Sequence, residues 1–153
     1  MTTKQDLKQQ LYKHCVNYVT QHIEIISHTI SQAQSAVIGE TKNTAGDRYE
    51  TERAMKQRET ELYGKRLQTA LLHKQILHAV NPTKTYSTVE TGALVSTSIG
   101  EFFIAISTDE ITIDDTEYCI ISVESPLFLA MAHKKVGDVV LFREKEINIL
   151  DVC

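Results

Sequence analysis

A chain of 153 residues with 42% hydrophobic and 24% charged content has the make-up of one folded domain or two small ones. Its formal net charge of -4 argues against broad nucleic-acid binding, which is driven by phosphate neutralisation. No apolar run nears the roughly 20 residues that cross a bilayer, and Met1-Thr2-Thr3-Lys4-Gln5-Asp6 carries no apolar signal region. Cys15, Cys119 and Cys153 are widely spaced and form no Cys-x-x-Cys pattern. They read as free thiols of a reducing compartment, so a cytoplasmic protein with no membrane partner is expected.

The first half has helical spacing. Leu7, Leu11, Cys15, Tyr18, His22, Ile26, Ile30, Ala33 and Val37 recur at steps of three and four, and Gly39 is a stop signal. A second run follows Gly46, with Met55, Leu62, Thr69 and Ile76 seven apart and Leu72 and Val80 between or beyond them. That period predicts a coiled-coil seam, and Asn81-Pro82 ends it. Residues 1–81 are therefore expected to form an antiparallel coiled-coil hairpin with its tip near 43–50. Each helix has about 33 residues and is about 50 Å long, too long to be covered by the rest of the chain.

The tip segment Asn43-Thr44-Ala45-Gly46-Asp47-Arg48-Tyr49-Glu50 carries two carboxylates, Asp47 and Glu50, at i and i+3. Acids on a projecting tip suit delivery of negative charge, or a chelated metal ion, to a site on another molecule. Asp-x-x-Glu at a helix start is also a capping box, and acids there suit the helix dipole. The two roles are compatible.

After Pro82 the period changes from seven to two. Val89–Val95, Phe102–Ile106, Ile111–Ile113, Tyr118–Val123, Val139–Phe142 and Ile147–Val152 are short runs rich in β-branched and aromatic residues. Ser98-Ile99-Gly100, Thr108-Asp109, Asp114-Asp115, Gly137-Asp138 and Arg143-Glu144-Lys145 supply the turns. Ser125-Pro126 opens one short helix, Leu127–His133, with Ser as N-cap and Pro in the first turn. The fold class is thus α+β, with residues 82–153 forming a small antiparallel-sheet domain covered by that helix. Leu127, Phe128 and Met131 exceed what one buried face needs, which leaves apolar surface for a partner.

Other features have bland readings. His14 and His73 should lie at one level of the hairpin, but two histidines without a third ligand are a thin metal site. Lys56, Arg58, Lys65, Arg66 and Lys74 make the second helix basic, either as a solvated face paired with Glu52, Glu59 and Glu61 or as a stripe beside RNA. No nucleophile–base set, phosphate loop or His-Glu-x-x-His motif is present. A prolyl-isomerase or chaperone module would need an aromatic cleft that the C-terminal half has little material to build, and a plain dimerisation coil would not explain the acids.

Together the helical hairpin, the Gly46-Asp47-Arg48-Tyr49-Glu50 tip, the Ser125-Pro126-Leu127 helix, the Lys134-Lys135-Val136-Gly137-Asp138-Val139-Val140 turn and strand, and the closing Ile147–Val152 strand resemble the Gre-type transcript cleavage factors of bacterial RNA polymerase. The architecture covers almost the whole chain; the motifs cover about twenty residues. The resemblance implies an FKBP-like C-terminal domain that docks on RNA polymerase through Ser125, Pro126, Leu127 and Phe128. The hairpin would enter the secondary channel. There Asp47 and Glu50 would help hold a Mg²⁺ of the polymerase and orient a water for hydrolysis of backtracked RNA. The chain itself would be no enzyme and need no cofactor when free, and its contact with RNA and DNA would be indirect, inside the elongation complex. Tyr49 and Thr51 depart from the family's small polar residue and Asn, and Arg48 and Arg53 bring positive charge. These departures keep open a channel-binding regulator that does not stimulate cleavage.

Overall fold

A computed structural model describes the backbone of residues 3–40 and 46–153, and their side chains apart from 34–40 and 46–49. Two helices come first: α1, Lys4–Glu40, and α2, Gly46–Ala79. Six strands and a third helix follow: β1 Leu94–Thr97, β2 Gly100–Ala105, β3 Ile111–Ile113, β4 Thr116–Ser122, α3 Pro126–Met131, β5 Val139–Phe142 and β6 Lys145–Val152. The chain is therefore α+β, with the helix-to-strand switch where the sequence period changes.

The chain divides into two compact units. One joins Met1–Tyr18 to Gln75–Cys153, and the other is Val19–Lys74.

In the first unit, the start of α1 lies beside the end of α2. Tyr12 donates its hydroxyl to the Leu77 carbonyl at 2.9 Å, so the helices run antiparallel and pack against each other. Thr3 and Asp6 form a reciprocal cap on α1: the Asp6 N–H donates to Thr3 Oγ1 at 3.1 Å and the Thr3 N–H to Asp6 Oδ2 at 3.3 Å. Leu11 and Cys15 are fully buried, as their spacing predicts. Lys8, on the same line of α1, is buried with them at 1% exposure. Its ammonium donates to the Lys84 carbonyl and sits 4.7 Å from the Tyr86 ring centre. Burial holds the Lys8 amine below its ordinary value, while a charge at Cys153 acts the other way.

The sheet order is β3-β4-β2-β1-β6-β5. The sequence pointed to an antiparallel sheet, but β2 and β4 pair in parallel, from Glu101↔Tyr118 to Ala105↔Ser122. The β3–β4 hairpin folds back outside β2, so β4 enters beside β2 in the same direction. Phe102, Phe103, Ile104 and Ala105 are all buried, because β2 is central and covered on both faces. On one face Val95, Phe102, Ile104, Val140, Ile147, Ile149 and Val152 pack with Phe128 and Met131 of α3. On the other, Leu94 and Phe103 face each other in register and are both buried.

The expected strand Val89–Val95 is shorter and later in the fold. A turn at Thr91-Gly92 interrupts it, and β1 begins at Leu94. Gly92 has φ 95°, and a Cβ there would lie 2.8 Å from the Tyr86 hydroxyl. Gly92→Ala therefore meets two penalties: the left-handed backbone costs about 1–2 kcal/mol and the overpacking about 1–3 kcal/mol. Denaturant unfolding is expected to show a loss of about 3 kcal/mol. A variant within about 0.5 kcal/mol of wild type would contradict the packing of Tyr86 on Gly92.

In the second unit the helices again bury a seven-residue pattern, but α2 uses a different phase from the one its large aliphatic residues suggest. Met55 is 59% exposed, Leu62 49% and Leu72 52%. The covered line in this unit is Tyr63, Leu67 and Ala70. Two heptad lines stand one residue apart on this helix, and the one through Tyr63 and Ala70, not the one through Met55 and Leu62, faces inward. On α1, Val19 and Ile26 are buried, Ile23, Ile30 and Ala33 are half-buried, and His22 is exposed. Among the described residues no helix is long and apolar enough to cross a membrane.

Candidate functional site

The expected tip falls partly outside the described residues. Residues 41–45 and the Asp47 side chain are among those not described, so the Asp47 cap and its separation from Glu50 are left there. Gly46 opens α2, which puts Asp47 and Glu50 near the helix start, and Glu50 is exposed. Arg53, one turn further on, is exposed as well. A helix start is electropositive from its unpaired N–H groups, so it is a favourable place for negatively charged side chains.

The C-terminal motif residues all have structural tasks. Ser125 is the N-cap of α3: its Oγ accepts from the Phe128 N–H at 3.2 Å, and Pro126 fits the first turn because it has no N–H to satisfy. Ser125→Ala is expected to cost about 1 kcal/mol in thermal or denaturant unfolding. An unchanged midpoint would mean that the cap contributes nothing to this short helix.

The partner residues named from sequence are placed unevenly. Pro126 is exposed, Leu127 is partly buried, and Phe128 is in the core at 8% exposure. Met131 is fully buried. The apolar side chain that α3 presents to solvent is Leu129, at 65% exposure, which the sequence reading did not single out.

The Lys135-Val136-Gly137-Asp138 segment is a closed turn. Asp138 Oδ2 accepts from the Lys135 N–H at 2.8 Å, and the Asp138 N–H donates to the Lys135 carbonyl at 3.0 Å. Gly137 has φ 92°, a conformation that favours glycine, and its N–H donates to the Ile149 carbonyl at 2.8 Å. The motif thus fixes how β5 enters the sheet beside β6.

A second acidic group lies at the β3 edge. Glu110 hydrogen-bonds with Glu117, and that bond, then the Glu110 charge, raises the Glu117 carboxyl above its ordinary value. The Cys119 thiol lies 3.7 Å from Glu110 Oε1. It is raised first by burial and then by the charge of Glu110. No cluster of three suitable metal ligands exists among the described residues. His14 is half-buried, and its Nε2 has no hydrogen-bond partner.

Lys8 is the residue that sequence reasoning missed most clearly. Its signal was legible, since it stands three before Leu11 and seven before Cys15, on the seam of α1. No protein-family model matches the chain, and no curated protein matches it significantly.

Proposed function

We propose that the chain is a transcription elongation factor of the Gre type. In this reading it binds bacterial RNA polymerase and inserts its helical hairpin into the secondary channel. It stimulates cleavage of backtracked RNA by bringing Asp47 and Glu50 to the polymerase's catalytic metal. The observation that carries the reading is the commitment of the C-terminal motif. Ser125 caps α3, Gly137 takes φ 92°, and Asp138 closes the turn into β5. Residues that resemble the family's motif are thus the ones on which this domain's geometry depends. Paired helices of 37 and 34 residues, with an exposed Glu50 near the start of α2, support it further.

The chemistry follows from the ligand type. Carboxylates are hard oxygen donors, and Mg²⁺ keeps several waters while taking one or two of them. In a site with two metals, the second ion stabilises attacking and leaving oxygens together. Asp47 and Glu50 would supply charge and orient a metal-bound water, while the polymerase breaks the phosphodiester bond. The α3 helix and the turn before β5 would carry docking. Exposed Arg53 favours the second reading, a channel-binding regulator that does not stimulate cleavage, because its charge opposes metal capture.

The test is an RNA cleavage assay on stalled bacterial polymerase with and without the full chain. Accelerated release of a short 3′ RNA fragment is the expected result. Binding without acceleration selects the regulator. Failure to bind polymerase at all overturns both readings.

A further inference from the structure

The two edges of the sheet are unlike. The β3 edge is ringed by acids: Asp109, Glu110, Asp114 and Asp115 flank Ile111–Ile113, and Glu117 pairs with Thr112 from the neighbouring strand. A second copy brought to that edge would meet its own charge. The opposite edge is β5, Val139-Val140-Leu141-Phe142. It has no charge, no proline and no bulge, and it pairs with β6 in unbroken register from Val139↔Asn148 to Phe142↔Lys145. Apart from its short length, the devices that usually blunt an edge strand are missing from it.

The hydrogen-bond phase of β5 is set by its neighbour. The Ile149 N–H donates to the Asp138 carbonyl at 2.9 Å. Main-chain groups alternate sides along an antiparallel strand. The Asp138 carbonyl and the main-chain groups of Val140 and Phe142 therefore face β6, while the N–H and C=O groups of Val139 and Leu141 point away from the sheet. The side chains of those two residues are 54% and 70% exposed. Leu150, two residues beyond the Asn148 partner of Val139, is 58% exposed on the same strand pair.

We propose that the β5 edge pairs with the β5 edge of a second copy of this chain, two-fold and antiparallel, so that the sheet continues across the interface. One register satisfies the free groups. With Val140 on the two-fold axis, Val139 of each copy faces Leu141 of the other, and their outward N–H and C=O groups bond reciprocally. Side chains on one face of the sheet stay on that face, so Val139 and Leu141 of one copy cover Leu141 and Val139 of the other. The ends are complementary in charge. Asp138 precedes β5 and Arg143 follows it, so antiparallel pairing sets the acid of each copy beside the arginine of the other. The contact is isologous and closes as a dimer, not as a fibre. Four-residue strands give a small interface, so the dimer is weak and depends on concentration. The proposal is independent of the transcription reading.

Sedimentation velocity of the full chain, from low to high micromolar concentration, tests it, together with amide hydrogen exchange. Wild type is expected to pass from monomer to dimer, with the Val139 and Leu141 amides slowed as the dimer forms. Leu141→Lys should stay monomeric throughout and keep the wild-type fold by circular dichroism, because the side chain is exposed. Arg143→Asp should bind about tenfold more weakly, which is about 1.4 kcal/mol. Arg143 has φ 50°, which Asp tolerates, so the turn survives. A wild type that is monomeric at every concentration overturns the proposal. So does a Leu141→Lys variant that dimerises as wild type does, or a dimer in which the Val139 and Leu141 amides exchange freely.

Discussion

The double change Asp47→Asn, Glu50→Gln is expected to leave the protein folded and bound to polymerase while cleavage stimulation falls to the level of polymerase alone. Asn caps a helix about as well as Asp, and Gln can replace Glu in a capping box. The stability cost is then the lost attraction between two carboxylates and the start of α2, at most about 1 kcal/mol. Both negative charges vanish, and a neutral amide is a poor Mg²⁺ ligand beside a carboxylate. Loss of activity without loss of fold or binding would place the acids at the metal. Wild-type cleavage by the double variant would reduce them to caps. Stability is read by denaturant unfolding, binding by co-sedimentation with polymerase, and activity by the RNA products.

Alkaline titration of Cys15 is expected to produce the largest change in stability. The side chain is fully buried in α1, and burial pushes its thiol up to about 12 from the ordinary 9.0, against a smaller opposite pull from a backbone hydrogen bond. Between these values the unfolded chain gives up the proton and the folded chain keeps it. Stability from this thiol is therefore complete below pH 9.0 and is lost as the pH rises toward about 12. A three-unit difference corresponds to about 4 kcal/mol at the top of the range. Tyr86, raised by burial and by the charge of Glu90, drives stability the same way. Lys8, lowered by burial, drives it the opposite way as its ammonium deprotonates. Cys15→Ala isolates the thiol. Its unfolding free energy should fall less steeply than wild type above pH 9, although a small cavity makes it less stable at pH 7. Parallel curves for the two proteins across that range would refute the assignment. The same burial predicts that Cys15 resists alkylation in the native protein while the half-buried Cys153 reacts.

Most elements were legible because they depend on local chemistry. Ser125 and Pro126 announce a helix start wherever they stand, since one accepts an N–H and the other lacks one. Asp114-Asp115 and Arg143-Glu144 mark hairpin turns, and all four take positive φ, between 50° and 66°. Even Thr3 and Asp6 form a cap whose spacing is plain once sought. The burial of Lys8 was harder to read, because a lysine on a seam counts as an error until a carbonyl and an aromatic ring are found to receive it.

By itself, the sequence determined the α+β class, the switch near Asn81-Pro82, the strand-bearing segments and the acid pair near the start of α2, because period, caps and turn residues act over a few positions. Tertiary structure decided the rest. It chose Tyr63, Leu67 and Ala70 over Met55 and Leu62 as the inward line of α2, since two phases one residue apart have the same period and only the partner helix separates them. It set β4 parallel to β2, because strand order depends on how a hairpin folds back and not on the strands' own residues. It buried Phe128 and Met131 and exposed Leu129, because a helix on a sheet has one face to give and the sheet fixes its rotation.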